Sequence, residues 1–178
     1  MSEKHYLRKL DADMGRAEYD MYRAIPAEEI GWENPAHHMT FAKWREYLQD
    51  LIGDEFREKV HPEHENLTYS ETSYIMYLED YPIGLIKLKP RKNGGELDGW
   101  AEVSYVIRPV CRGTGLATTM LNLLKVEAQK RGVATLAAFA NRHNVASWRT
   151  LEKCNFQLVR ETEWGSKYYE LVLIEEEK

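Results

Sequence analysis

Val106-Ile107-Arg108-Pro109-Val110-Cys111-Arg112-Gly113-Thr114-Gly115-Leu116-Ala117-Thr118-Thr119 decides how the rest of the chain is arranged. Just before and into it, Val103, Tyr105 and Ile107 alternate with Glu102, Ser104 and Val106, which is the period of a strand. Pro109 ends regular pairing. Gly113 and Gly115 allow a tight turn and the close approach of a ligand to the backbone. Beyond them Leu116, Met120, Leu123, Leu124 and Ala128 recur at helical spacing, with Asn122, Lys125 and Gln129 opposite. The stretch therefore predicts a strand, a glycine turn and a helix whose first N–H groups aim back at the turn. Such a terminus attracts anions, and Arg112 adds a fixed positive charge.

The turn is not a Walker loop, because no Gly-Lys-Ser/Thr follows at the required spacing. Nor is it a dinucleotide fingerprint, since the third glycine of Gly-x-Gly-x-x-Gly is missing. The plain alternative is a strand-to-helix turn whose glycines serve geometry alone.

Composition narrows the class. The 178 residues suit one domain spanning 1–178. Hydrophobic residues make up 43% and charged ones 30%, ordinary values for a globular protein. The net charge of -5 and the lack of a basic block argue against nucleic-acid binding. The mild acidic excess is compatible with a cationic acceptor. No apolar run reaches the length of a membrane span. Met1-Ser2-Glu3-Lys4-His5 lacks a signal-peptide pattern. Cys111 and Cys154 are isolated, with no metal spacing and no disulfide framework, so a cytoplasmic location is expected.

In chain order, His5–Leu10 reads as a strand, and Asp11 or Asp13 as the cap of a helix carrying Met14, Ala17, Met21 and Ile25. Glu28–Met39 reads as a long loop. Thr40 caps a second helix with an apolar stripe of Phe41, Trp44, Leu48, Leu51 and Ile52. Gly53–Tyr69 reads as loop. Tyr74–Leu78 and Ile83–Leu88 form a hairpin, and Lys89–Gly99 is a flexible connection. After the long helix, which Gly132 ends, come a strand at Thr135–Ala140 and a helix at Asn144–Lys153. A strand pair at Phe156–Thr162 and Lys167–Ile174 follows. The order β-α-α-β-β-β-α-β-α-β-β calls for an α/β or α+β sheet with helices on its faces.

Arg112-Gly113-Thr114-Gly115-Leu116-Ala117 resembles the acetyl-CoA pyrophosphate loop of the GNAT superfamily of N-acetyltransferases, Arg/Gln-x-x-Gly-x-Gly/Ala. Asn144-Val145-Ala146-Ser147, leading to Cys154-Asn155-Phe156, is similar to the family's Asn-x-x-Ala/Ser helix that ends in Gly-Phe. The likeness runs from about Tyr74 to Ile174. It implies a mixed, mostly antiparallel central sheet of 6–7 strands in which two neighbouring strands splay apart to admit the cofactor. It implies acetyl-CoA as co-substrate, no metal, and direct acetyl transfer to a primary amine on a small molecule or peptide. A homodimer is compatible with it.

The resemblance also assigns residues. Backbone N–H groups of Arg112, Gly113, Thr114, Gly115, Leu116 and Ala117 would bind the pyrophosphate. The backbone of Val106 and Ile107 would pair with the pantetheine arm. Asn144 and Ser147 would lie near that arm, although Asn144 reads equally well as a helix N-cap. Glu102 is the candidate general base, or else a solvent-facing glutamate, and Ser104 shares its face. Trp32, Glu33 and Asn34 fall where the family builds its acceptor wall. One departure matters. The tyrosine that many members use to protonate the leaving thiolate is Leu151 here, and Asn155 replaces the glycine. Leucine donates no proton. That departure favours, as the alternative, a non-catalytic acyl-CoA-binding sensor or interaction module. Adjacent His37-His38 are expected to point apart, and His61-Pro62-Glu63-His64 reads as a solvated loop rather than a metal site.

Overall fold

Alternation along the strands sends apolar side chains to both faces of one sheet, and helices cover each face. The computed structural model describes the backbone of residues 4–61 and 64–174 and the side chains of 4–60 and 66–174. Met1-Ser2-Glu3, Pro62-Glu63 and the side chains of His61 and His64, on which the readings of those stretches rest, lie outside the described residues.

In chain order the elements are β1 (His5–Lys9), α1 (Arg16–Ala24), β2 (Glu28–Glu29), β3 (Trp32–Glu33), α2 (Phe41–Gly53), β4 (Lys59–His61), β5 (His64–Tyr69) and β6 (Thr72–Leu78). Then follow β7 (Tyr81–Asn93), β8 (Glu96–Ile107), α3 (Leu116–Lys130), β9 (Thr135–Ala140), α4 (Val145–Lys153), β10 (Gln157–Glu161) and β11 (Lys167–Val172). The main sheet path is β1-β6-β7-β8-β9-β11-β10, and the β4–β5 hairpin joins it through β7. All pairs are antiparallel except β8–β9, which α3 connects as a crossover. Tyr19, Met21 and Tyr22 of α1 and Trp44, Leu48 and Leu51 of α2 pack with Ile75, Leu85 and Val106 on one face. Met120, Leu121, Leu124 and Ala128 of α3 and Leu151 of α4 pack with Ile86, Leu88, Val103 and Ile107 on the other. Among the described residues no helix is long and apolar enough to cross a membrane.

Several local expectations change. Thr40 does cap α2, its hydroxyl accepting from Lys43 N–H at 3.3 Å. The α1 cap, by contrast, is Gly15, whose N–H donates to Glu18 at 2.7 Å, while Asp11 pairs with Arg8 and the Asp13 N–H. Glu28–Met39 is not plain loop. It holds the small β2–β3 hairpin and a 3-10 turn at Pro35–His38. That turn brings the rings of His37 and His38 edge to face, 4.6 Å apart, instead of splaying them. Lys89–Gly99 is not an irregular connection either. β7 and β8 continue through it as one long hairpin whose turn places Gly94 at φ 62° and Gly95 at φ 89°. Pro90 is tolerated because the β7–β8 register shifts immediately after it, between Pro90 and Lys92.

Candidate functional site

β8 and β9 touch only through Trp100–Thr135, Ala101–Leu136 and Glu102–Ala137. Past Glu102 the two strands diverge, and the β8 backbone from Val103 to Ile107 faces a gap. Arg108 N–H donates to the Ile83 carbonyl at 2.8 Å. Ladder alternation therefore turns the Val106 amide toward β7 and the amides of Tyr105 and Ile107 toward the gap. Val106 instead contributes its side chain to the α1–α2 core. The Ile107 carbonyl accepts from Arg112 Nε at 2.8 Å.

The glycine turn closes one end of the gap. Pro109–Cys111 form a 3-10 turn, and Thr114 Oγ1 donates to the Cys111 carbonyl at 2.9 Å. Gly113 (φ 77°) and Gly115 (φ 83°) both take the left-handed conformation. A β-carbon at either would meet nothing within 4 Å, so the space beside the turn is open. Gly115 caps α3 with no side-chain bond and no acid in the first turn. The terminal N–H groups and the dipole of a 15-residue helix therefore face open space.

The cleft measures about 410 Å³ and runs from this turn to α4. Nine of the ten cofactor residues expected from sequence line it: Val106, Ile107, Arg112, Gly113, Gly115, Leu116, Ala117, Asn144 and Ser147. Thr114 does not, because its side chain folds back on the turn. Asn144 is indeed the N-cap of α4, accepting from Ser147 N–H at 3.1 Å, and its Nδ2 also donates to the Ile30 carbonyl at 3.2 Å. Arg149 and Lys153 line the same cleft and pair with no acid among the described residues. With Arg112 they give it a cationic end suited to phosphate. Their four-residue spacing on one helix face was the available sequence signal. The one anion at that end is Glu29, which accepts from Arg112 Nη2 at 2.6 Å.

Tyr105 was not singled out as a site residue from sequence. Its hydroxyl lies 3.0 Å from Ser147 Oγ, inside the cleft. Burial pushes its pKa up to about 12, against the Ser147 hydrogen bond, which lowers it. Leu151 is fully buried in the core and contributes nothing to the cleft. Tyr169 is also buried and bonds Glu152 at 3.0 Å. Tyr168 bonds Glu170 at 2.9 Å. Cys111 lines the cleft, whereas Cys154 is buried and its thiol pKa is raised by that burial.

A second cleft of about 680 Å³ includes Glu102, Ser104, Trp32, Glu33, Tyr47, Lys87, Lys89 and Phe139. It shares Glu29 and Trp32 with the first. Glu102 and Ser104 sit on one face of β8, as alternation requires. Lys89, directly opposite on β7, donates to Glu102 at 2.9 Å. Asn34 is committed to structure, its Nδ2 donating to the Tyr22 and Ile25 carbonyls at 2.7 and 2.8 Å. Among the described residues no group of His, Cys, Asp and Glu is arranged to hold a metal ion.

The site's residues fit coenzyme A: an open helix N-terminus, three cations, and a free strand edge beside a gap. Comparison with known proteins agrees. The chain resembles the ribosomal L7/L12 alpha-N-protein acetyltransferase RimL in complex with coenzyme A (TM-score 0.68, 15% identity, 96% of this chain and 95% of that one). It resembles a spermidine N-acetyltransferase SpeG chimera from Vibrio cholerae and hSSAT (TM-score 0.63, 16% identity, 95% of each chain). It also resembles yncA of Salmonella typhimurium, a putative acetyltransferase with its cofactor acetyl-CoA (TM-score 0.61, 18% identity, 96% and 95%). At these identities the likeness is one of fold. No curated protein matches by sequence. The family model for the acetyltransferase (GNAT) domain matches residues 9–157, and the chain belongs to that family.

Proposed function

We propose that this chain transfers an acetyl group from acetyl-CoA to a primary amine, by direct attack within a ternary complex, as one domain acting in the cytoplasm. One observation carries the reading. The cationic cleft beside β8 and the Glu102 cleft adjoin at Glu29 and Trp32, the arrangement that a cofactor site beside an acceptor site needs.

When bound, acetyl-CoA supplies the activated acyl group. The N–H groups of Arg112 to Ala117 would hold its pyrophosphate, and the side chains of Arg112, Arg149 and Lys153 would neutralise the phosphate charge. The gap-facing N–H of Ile107 pairs with the pantetheine arm or polarises the acyl carbonyl. Glu102 takes the amine proton, directly or through a water held by Ser104. To the Tyr105–Ser147 hydroxyl pair, which lies in this cleft, we assign protonation of the leaving thiolate, the role that Leu151 cannot fill. The acceptor cleft combines aromatic walls with carboxylates. A spermidine-like polyamine and a peptide N-terminus, the acceptors named for two structural relatives, both present the required amine.

The test is release of free CoA thiol from acetyl-CoA across a panel of polyamines, amino acids and peptides. Turnover with one class, lost in Arg112→Ala and reduced in Glu102→Gln, is the expected result. Tight acetyl-CoA binding with no turnover on any amine would instead establish the acyl-CoA sensor that the leucine at 151 favours.

A further inference from the structure

The β2–β3 hairpin is held from both walls of the cofactor cleft. On one side Glu29 accepts from Arg112 Nη2 at 2.6 Å, and on the other the Ile30 carbonyl accepts from Asn144 Nδ2 at 3.2 Å. Both anchors are residues of the proposed cofactor site. We propose that Glu29 is a positioning residue that occupies Arg112 in place of the cofactor's diphosphate. Cofactor binding then frees the hairpin and resets the Trp32–Glu33 wall of the acceptor cleft. This rests on reading the 410 Å³ cleft as the coenzyme A site.

Four features support it. The guanidinium is fixed by its Nε bond to the Ile107 carbonyl, so it stays in the cleft and exchanges one oxygen anion for another. The hairpin has two residues per strand, too few to hold a conformation without outside contacts, and Ile30 at its tip is 50% exposed. Glu29 is cross-strand partner to Trp32, and both residues line both clefts, so displacement of one carries the other. Finally, the Trp32 indole N–H is buried with no acceptor among the described residues, so no side-chain hydrogen bond holds the indole where it sits.

The consequence is a coupling between the two clefts. If a diphosphate must displace Glu29, the carboxylate weakens cofactor binding and, by linkage, the acceptor wall depends on cofactor occupancy. Glu29 touches no reacting atom; it acts through Arg112 and the hairpin.

Calorimetric titration of coenzyme A into wild type and Glu29→Gln tests the competition. Trp32 emission, isolated by subtracting a Trp32→Phe variant, reports the hairpin. Glu29→Gln is expected to bind coenzyme A about fivefold more tightly, the scale of one partly exposed ion pair. Its Trp32 emission before coenzyme A is expected to lie already displaced toward the value wild type reaches on binding. Equal or weaker binding by Glu29→Gln at unchanged thermal stability would overturn the proposal, as would Trp32 emission indifferent to coenzyme A. In either case wild-type binding would leave the cofactor reading standing. Absence of coenzyme A binding by wild type would overturn both.

Discussion

Gly84 holds the inner edge of the site in place, and Gly84→Ala tests that directly. It lies on β7 opposite Ile107, in the centre of the sheet. Its backbone needs no special conformation, so the constraint is space alone. An added β-carbon would stand 2.6 Å from the Val106 carbonyl oxygen and 2.9 Å from Ile107 Cδ1. Neither neighbour can yield cheaply: one is backbone in the β7–β8 ladder, the other is packed under α3. Overpacking of this kind costs about 1–3 kcal/mol. For a chain of this size that lowers Tm by roughly 2–12 °C. β8 must shift where Tyr105 and Ile107 face the gap, so coenzyme A affinity falls as well. Urea denaturation with an unchanged m-value measures the stability loss, and calorimetry measures the affinity. Gly94→Ala is the control. That turn is open but has φ 62°, so the cost comes from the left-handed backbone, about 1–2 kcal/mol, with no change in coenzyme A binding. Wild-type stability and affinity in Gly84→Ala would refute the packing argument.

Other outcomes follow from particular contacts. Glu18 is buried, which favours its neutral form, yet hydrogen bonds from Tyr77 and the Gly15 N–H outweigh burial and hold its pKa below the ordinary carboxylate value. Its contribution is complete above about pH 4.5 and lost as pH falls through the lowered folded value. Glu18→Gln is therefore expected to cost about 1–3 kcal/mol at neutral pH, with the gap to wild type closing on acidification in pH-dependent urea melts. Tyr105→Phe keeps the packing but removes the hydroxyl from Ser147, and is expected to lower kcat about 10²-fold with little change in KM for acetyl-CoA. Thr40→Ala removes the α2 cap and is expected to cost about 1 kcal/mol by thermal denaturation, without effect on coenzyme A binding.

The sequence carried the centre of the molecule better than its edges. Alternation through Val103–Ile107, two glycines and a helical stripe specified the second half of β8, the turn and α3, because each follows from local period and backbone freedom. The β4–β5 hairpin was hidden. It is polar, at a sheet edge, and pairs with the far end of β7, so no alternation marks it. β2 and β3 are too short to show a period. Pro90 and the glycines of Lys89–Gly99 suggested a break, where the chain instead uses a bulge and a turn. Non-local contacts were beyond reach altogether: Glu29 meets Arg112 across 83 positions, and Tyr105 meets Ser147 across 42. Arg149 and Lys153 were legible in principle, through their helical spacing.

Assigned backbone amide spectra during a coenzyme A titration test the central claim most directly, namely that the cofactor enters between β8 and β9 with its pyrophosphate on the α3 N-terminus. The account predicts saturable shifts at Gly113, Gly115, Leu116, Ala117 and Thr118 and at the gap-facing amides of Tyr105 and Ile107. Shifts confined to other parts of the sheet, or none at saturating coenzyme A, would contradict it.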